Sequence, residues 1–226
     1  MMENDRQIKT NIWQEIKGDW ITLLLVLASL AAGVAAYPQL PDLVPSHWNI
    51  KGQVDGYSSR FWGAFGIPLM LAGIYLLMLL MPRIDPKRAN YSRFGGAYRT
   101  LKLAIALFFV WLYGTVLASA MGFRLPVDKM VITAVGILFM VIGNFMGQFR
   151  HNYFVGIRTP WTLANEEVWQ KTHRLAARIW VAAGLAMAAA GLALGGQRGL
   201  VVIILAIVAA ALVPIVYAYA LHRKLS

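Results

Sequence analysis

Six apolar stretches constrain this chain more than anything else in it. They run roughly over Trp20–Tyr37, Phe61–Met81, Leu103–Met121, Met130–Phe149, Leu175–Leu194 and Leu200–Leu221. Each approaches the ~20 residues a helix needs to cross ~30 Å of hydrocarbon. The first run ends in Val34-Ala35-Ala36, which has the form of a signal-peptide cleavage site. It is long for the apolar region of a signal peptide, so it is read as a span. With 59% hydrophobic and only 14% charged residues in 226, no separate soluble domain is expected. The predicted fold is all-α: a single six-helix membrane bundle over residues 1–226.

The formal net charge of +11 is a topology signal before it is a binding signal. Of the 21 Lys and Arg, 16 fall on one side of the spans and 5 on the other. The rule that basic loops stay inside places both termini and Gly143–Arg174 in the cytoplasm. Pro38–Arg60 then faces outward. The bilayer, with its anionic lipid, is the partner these charges imply. No basic recognition helix is present, so direct nucleic-acid binding is not expected.

Residues Thr10–Trp20 follow a helical apolar pattern at Ile12, Trp13, Ile16 and Trp20, with Thr10 or Asn11 as cap. This reads as an interfacial helix with its Trp residues at headgroup depth. In the outer loop, Pro38, Pro41 and Pro45 keep the first half extended. Lys51-Gly52 and Asp55-Gly56 mark tight turns, and His47-Trp48-Asn49-Ile50 suits a short strand, so a small β-hairpin fits here. The loop is either a lid resting Trp48 on the membrane or an outward recognition surface.

The segment GNFMGQFRHNYFVGIRTPWTLANEEVWQKTHR, Gly143 to Arg174, is far richer in polar and aromatic residues than a connector requires. Gly143 and Gly147 have the spacing of close helix packing. Asn144 and Gln148, one turn apart, are expected to face the bundle interior, as interhelical glue or as part of a ligand cavity. Gly156 permits a turn and Pro160 stops helix continuation. Asn165 or Thr162 then caps a helix that begins before the bilayer, with Glu166 and Glu167 in its first turn. Gly184 and Gly191 offer close contacts in the Ala-rich fifth span.

Catalytic signals are sparse. There is no cysteine, no phosphate loop, no nucleophile elbow and no aspartate pair, and no cofactor motif appears. His151 and His173 lie on one side with Glu166 and Glu167 between them, but the spacing matches no helix-borne zinc pattern, so no metal is assigned. The acidic residues lie in termini or loops, which argues against an ion-coupled pump. Arg150 and Arg158 suit phosphate or carboxylate recognition.

Two patches resemble the SdpI family, bacterial six-span membrane proteins named for an immunity protein against a secreted toxic peptide. One is LPDLVPSHWNIKGQVDGY, similar to the family's outer-loop pattern. The other matches the family pattern at Gly143, Asn144, Asn152, Gly156, Ile157, Arg158, Thr159, Pro160, Trp161, Thr162, Trp169, Thr172, His173 and Arg174. The resemblance implies a bacterial cytoplasmic-membrane protein without catalytic residues. It implies protection against a membrane-active peptide and, as in the founding member, capture of a cytoplasmic repressor. On that reading His47, Trp48, Asn49, Gly52 and Asp55 contribute to toxin recognition. Arg158, Trp161, Trp169 and His173 order the inner segment, and Asn144 ties it to span four. The alternative is a membrane enzyme or lipid-handling protein with a polar centre at Asn144, Asn152, Arg158 and His173. An uncoupled exporter would need a polar path that the spans do not offer.

Overall fold

The computed structural model describes residues 12–225. The proposed caps Thr10 and Asn11, and the side chain of Trp13, lie outside what is described. A short helix α1 (Ile12–Gly18) leads into α2 (Trp20–Ala36), followed by strands β1 (Leu43–Trp48) and β2 (Val54–Ser59). Then come α3 (Arg60–Ile84), α4 (Gly95–Ala120), α5 (Val127–Met146), a one-turn α6 (Pro160–Ala164), α7 (Glu166–Ala193) and α8 (Gly196–Leu225). Among the described residues six helices, α2, α3, α4, α5, α7 and α8, are long and apolar enough to cross a membrane. The chain is a multi-pass membrane protein, as its six apolar runs predict. In hydrocarbon each backbone amide must find its partner within its own helix, which is why apolar runs of this length fold as helices.

Two of these helices contain three prolines that break that rule locally, and each break is mended by a neighbour. Pro68 and Pro82 in α3 and Pro214 in α8 lack the N–H that would bond the carbonyl four residues earlier. The orphaned carbonyls are Ala64, Met78 and Ala210. The Tyr113 hydroxyl donates to the Ala64 carbonyl at 2.7 Å, the Tyr98 hydroxyl to that of Met78, and Trp180 Nε1–H to that of Ala210 at 3.0 Å. Tyr113 and Tyr98 belong to α4 and Trp180 to α7, so the same bonds fix α4 against α3 and α7 against α8.

The bundle falls into two three-helix halves, α2–α4 and α5–α8. In the second half α5 and α7 meet backbone to backbone along glycines seven residues apart, Gly136 and Gly143 on one helix and Gly184 and Gly191 on the other. A Cβ at Gly184 would lie 2.6 Å from Met140 N, one at Gly143 would lie 2.8 Å from Val181 N, and one at Gly191 would lie 2.6 Å from Thr133 N. Gly147 does not join this seam: a Cβ there would meet only Ala177 Cβ, at 4.0 Å.

The connections gather at two ends. At one, α1 is tied to α3 by Glu15–Arg83 at 3.1 Å and to α4 by a buried Asp19–Lys102 ion pair. Lys102, read from sequence as a loop residue, lies inside α4, which begins at Gly95 rather than Leu103. The stretch between the basic residues is helical because Phe94, Ala97, Tyr98 and Leu101 are buried at helical spacing in a cluster with Met78, Met146, Phe149 and Ala176. The spans are therefore free of charge through their middles but not at this end.

At the other end β1 and β2 form a two-stranded antiparallel sheet. Val44 is fully buried against Gly63 of α3, where a Cβ would lie 2.5 Å from Val44 Cβ, and it joins Ala36, Leu40 and Ala64 in a small core. Strand β1 ends earlier than the sequence suggested, leaving Asn49 and Ile50 in the turn. Lys51-Gly52 is that turn. Asp55-Gly56 is not a turn but lies within β2, where the pairing of His47 with Gly56 is irregular and only a glycine leaves room for His47 Cβ.

Candidate functional site

The segment 147–165 is built from its own side chains. Asn152 is fully buried and spends its whole amide on the loop. Its Oδ1 accepts from the N–H groups of Phe154 (2.9 Å) and Val155 (2.6 Å), and its Nδ2 donates to the carbonyls of Arg150 (2.8 Å) and Val155 (2.9 Å). The chain then turns at Gly156, with φ +114°, and presents the Ile157 N–H to His173 Nε2 at 3.0 Å. His173 Nδ1 lies 2.8 Å from the Trp169 carbonyl. Nε2 accepts, so Nδ1 carries the proton and the ring is neutral. Both nitrogens are engaged, and neither is left for a metal or for proton transfer. Trp169, also fully buried, donates from Nε1 to the Phe149 carbonyl at 2.8 Å, and its ring stacks on His173 with centroids 4.1 Å apart.

The short helix α6 starts with a capping box. Thr159 accepts from Thr162 N–H, Thr162 Oγ1 accepts from Thr159 N–H at 2.9 Å, and Pro160 occupies the first turn. Asn165 caps α7 through the N–H groups of Glu167 (2.8 Å) and Val168 (3.1 Å). Trp161 packs against Tyr219 of α8 with the rings tilted and centroids 5.0 Å apart, pinning α6 to the last helix. Thr172 is buried in α7, whereas Arg158 and Arg174 are exposed. Arg158 reaches back to the Tyr153 carbonyl at 2.8 Å.

Four residues that the sequence reading did not single out hold this segment to the first half of the bundle. Asp85 is 2% exposed. Its carboxylate accepts from Lys87 N–H (2.7 Å), the Tyr91 hydroxyl (3.1 Å) and Tyr153 N–H (2.9 Å). Asn90 Nδ2 donates to the His151 carbonyl at 2.7 Å, and Lys87 Nζ lies 3.0 Å from His151 Nδ1. Burial, and then the Lys87 ammonium, hold His151 below the ordinary histidine pKa. A cue was available: Asp85 is the one carboxylate in a strongly basic connection, and Asp85-Pro86 is a turn-starting dipeptide.

Asn144 and Gln148 correct the sequence reading. Both are exposed rather than turned into the bundle. The glycine seam sets the rotation of α5: with Gly143 pressed on α7, Asn144 points away, and Gln148 lies past the end of the helix. Asn144 does not tie the segment to α5, and the four residues of the proposed polar centre do not converge. Asn144 and Arg158 are exposed, while the polar atoms of Asn152 and His173 are satisfied by their own loop. Among the described residues no group of three or more His, Asp or Glu is placed to hold a metal.

Gly156 is the position on which this arrangement depends. A Cβ there would press into His173 Nε2 well inside van der Waals contact, at a φ that disfavours any other residue. Gly156→Ala should lower stability by about 2–4 kcal/mol, from backbone strain plus the lost Ile157–His173 bond. Gly122→Ala, at φ +88° but in open space, should carry only the strain. Thermal unfolding of the two variants in detergent compares them.

At the opposite end the sheet residues are similarly organised. His47 Nδ1 lies 2.5 Å from Asp55 Oδ1, with both side chains well exposed. Asn49 Oδ1 accepts from Lys51 N–H (2.9 Å) and Gln53 N–H (3.1 Å), shaping the turn. Gly52, φ +73°, sits against Asp128 at the start of α5, whose Oδ2 accepts from Gly196 N–H at 2.7 Å. Trp48 is half-buried. The surface left over is apolar and aromatic: Leu43, Tyr57, Phe61 and Trp62 are all exposed.

Known proteins match stretches that include both ends of the bundle. Residues 148–218, from the 147–165 segment through α7 and most of α8, match the family described as the SdpI/YfhL protein family. Residues 24–72, which include the sheet, match a domain of unknown function, DUF1648. The immunity protein SdpI of Bacillus subtilis (strain 168) is 26% identical over 211 residues, covering 93% of this chain and 99% of that protein. The chain thus resembles the SdpI family in its last third and the immunity protein along nearly its whole length. No solved structure matches it. The residues that carry this resemblance are spent on shape: Asn152, Gly156, Thr159, Pro160, Thr162, Trp169 and His173 form the loop, its turn, its cap and its anchor to α7.

Proposed function

We propose that this protein is a non-enzymatic membrane immunity protein that protects a bacterium from a secreted, membrane-active peptide. The observation that carries the reading is the full-length likeness to an immunity protein, 93% of this chain against 99% of the relative. The uneven distribution of Lys and Arg supports an orientation with both termini and segment 143–174 in the cytoplasm and the sheet outside the cytoplasmic membrane. An amphipathic peptide reaching the outer leaflet would then meet the sheet first. His47, Trp48, Asn49, Gly52 and Asp55 shape that sheet, and the exposed Leu43 and Tyr57 give it an apolar contact face. On the cytoplasmic side, Arg158 and Arg174 offer exposed charge to a repressor, so that occupancy outside is signalled within.

Expression in a toxin-sensitive bacterium tests the reading. Cells carrying the protein should survive membrane-active peptides at concentrations about tenfold or more above those that kill vector controls, equivalent to ~1.4 kcal/mol of discrimination. Tyr57→Ser should erode that protection. Arg158→Glu with Arg174→Glu should leave it intact while abolishing any peptide-induced transcription. Unchanged killing across a panel of such peptides would count against the proposal.

A further inference from the structure

Between α4 and α5, where the two halves of the bundle meet, a groove of about 650 Å³ opens sideways toward the surrounding bilayer. Its walls are mainly hydrocarbon and aromatic, with Leu107 and Trp111 on one side and Ala134 and Ile137 on the other, interrupted by the hydroxyls of Thr100 and Thr133. The volume is within the range of ligand sites. It is only about a quarter of the roughly 2,400 Å³ swept by a helix ~10 Å wide crossing ~30 Å of hydrocarbon. A peptide helix is therefore too large an occupant, and an extended peptide would bring many more amides than two threonine hydroxyls can bond. A single hydrocarbon chain satisfies both limits.

The rim decides what that chain is attached to. Lys129 lines the groove at the end that carries the sheet. Its stem passes over the α7–α8 turn so closely that a Cβ at Gly195 would lie 2.7 Å from Lys129 Cγ. The neighbouring carboxylate, Asp128, is committed to Gly196 N–H, and Lys129 forms no ion pair among the described residues. A half-buried ammonium at the mouth of an apolar groove complements an anionic headgroup. We propose that the α4–α5 groove is a phospholipid site, taking one acyl chain along its length with the lipid phosphate on Lys129.

The test uses the full chain in phosphatidylcholine vesicles doped with a phosphatidylglycerol that bears a diazirine at mid-chain. After illumination, labelled residues are mapped by mass spectrometry. The exposed α8 face, at Leu205 and Leu212, serves as the internal standard for ordinary bilayer contact. Groove residues should label about fivefold more than that face, corresponding to ~1 kcal/mol of preference. Lys129→Gln should reduce groove labelling toward the standard, and Ala134→Trp, which fills the groove, should remove it; the α8 signal should not change in either. Equal labelling of groove and α8 face in the unaltered chain would overturn the proposal. So would groove labelling indifferent to both substitutions.

Discussion

Lys102→Met should cost about 3–5 kcal/mol, the range for stranding one member of a buried ion pair. Asp19 and Lys102 are 3% and 4% exposed; Lys102 meets Oδ2, and Asp19 Oδ1 has no hydrogen-bond partner among the described residues. The ammonium also lies over the Tyr98 ring, 5.1 Å from its centroid. Removing it leaves a carboxylate at the junction of α2 and α4 with neither water nor countercharge. The double variant Asp19→Asn/Lys102→Met removes both charges and should regain most of the loss, because the desolvation penalty disappears with the pair. Thermal unfolding of the three proteins in detergent separates the effects. Equal destabilisation by the single and double substitutions would show that packing around Lys102, rather than its charge, is what matters.

Gly184→Leu should be comparably damaging by another route. A Cβ at this position would lie 2.5 Å from the Gly136 carbonyl oxygen and 2.6 Å from Met140 N. Both are backbone atoms, so no rotamer change relieves the clash and the helices must part. Overpacking of a tight core costs about 1–3 kcal/mol even where side chains can yield, and this site has less room to yield. The expected result is a protein that fails to elute as a monodisperse folded species. Gly147→Leu is the matched control and should change little, although Gly147 looks equally promising as a packing residue in the sequence.

That contrast shows where sequence reading succeeds and where it stops. Six spans were legible because bilayer thickness sets a length that few other structures require. Segment 147–165 was legible because Gly156, Pro160 and Asn165 each have a local role that residue type alone announces. Which face of α5 turns inward was not. Asn144 and Gln148 suggested one face, but the decision belongs to Gly143 and Gly136, whose value appears only once α7 lies against them. The Asp19–Lys102 pair was hidden by 83 residues of separation and by a start for α4 placed too late. Asp85 was overlooked because its partners, Tyr91 and Tyr153, come from two different connections.

The proline-bearing helices carry a constraint on how this bundle can vary. Each proline and its aromatic donor form a couple whose members are separately intolerant but jointly replaceable. Exchanging Pro68 for leucine returns an amide to the Ala64 carbonyl and leaves the Tyr113 hydroxyl competing for it in hydrocarbon. Exchanging Tyr113 for phenylalanine leaves the carbonyl bare. Only the paired change closes the account on both sides, and the same holds for Pro82 with Tyr98 and Pro214 with Trp180. Related chains that lose one partner should therefore lose the other, making these three couples a heritable record of which helices lie side by side.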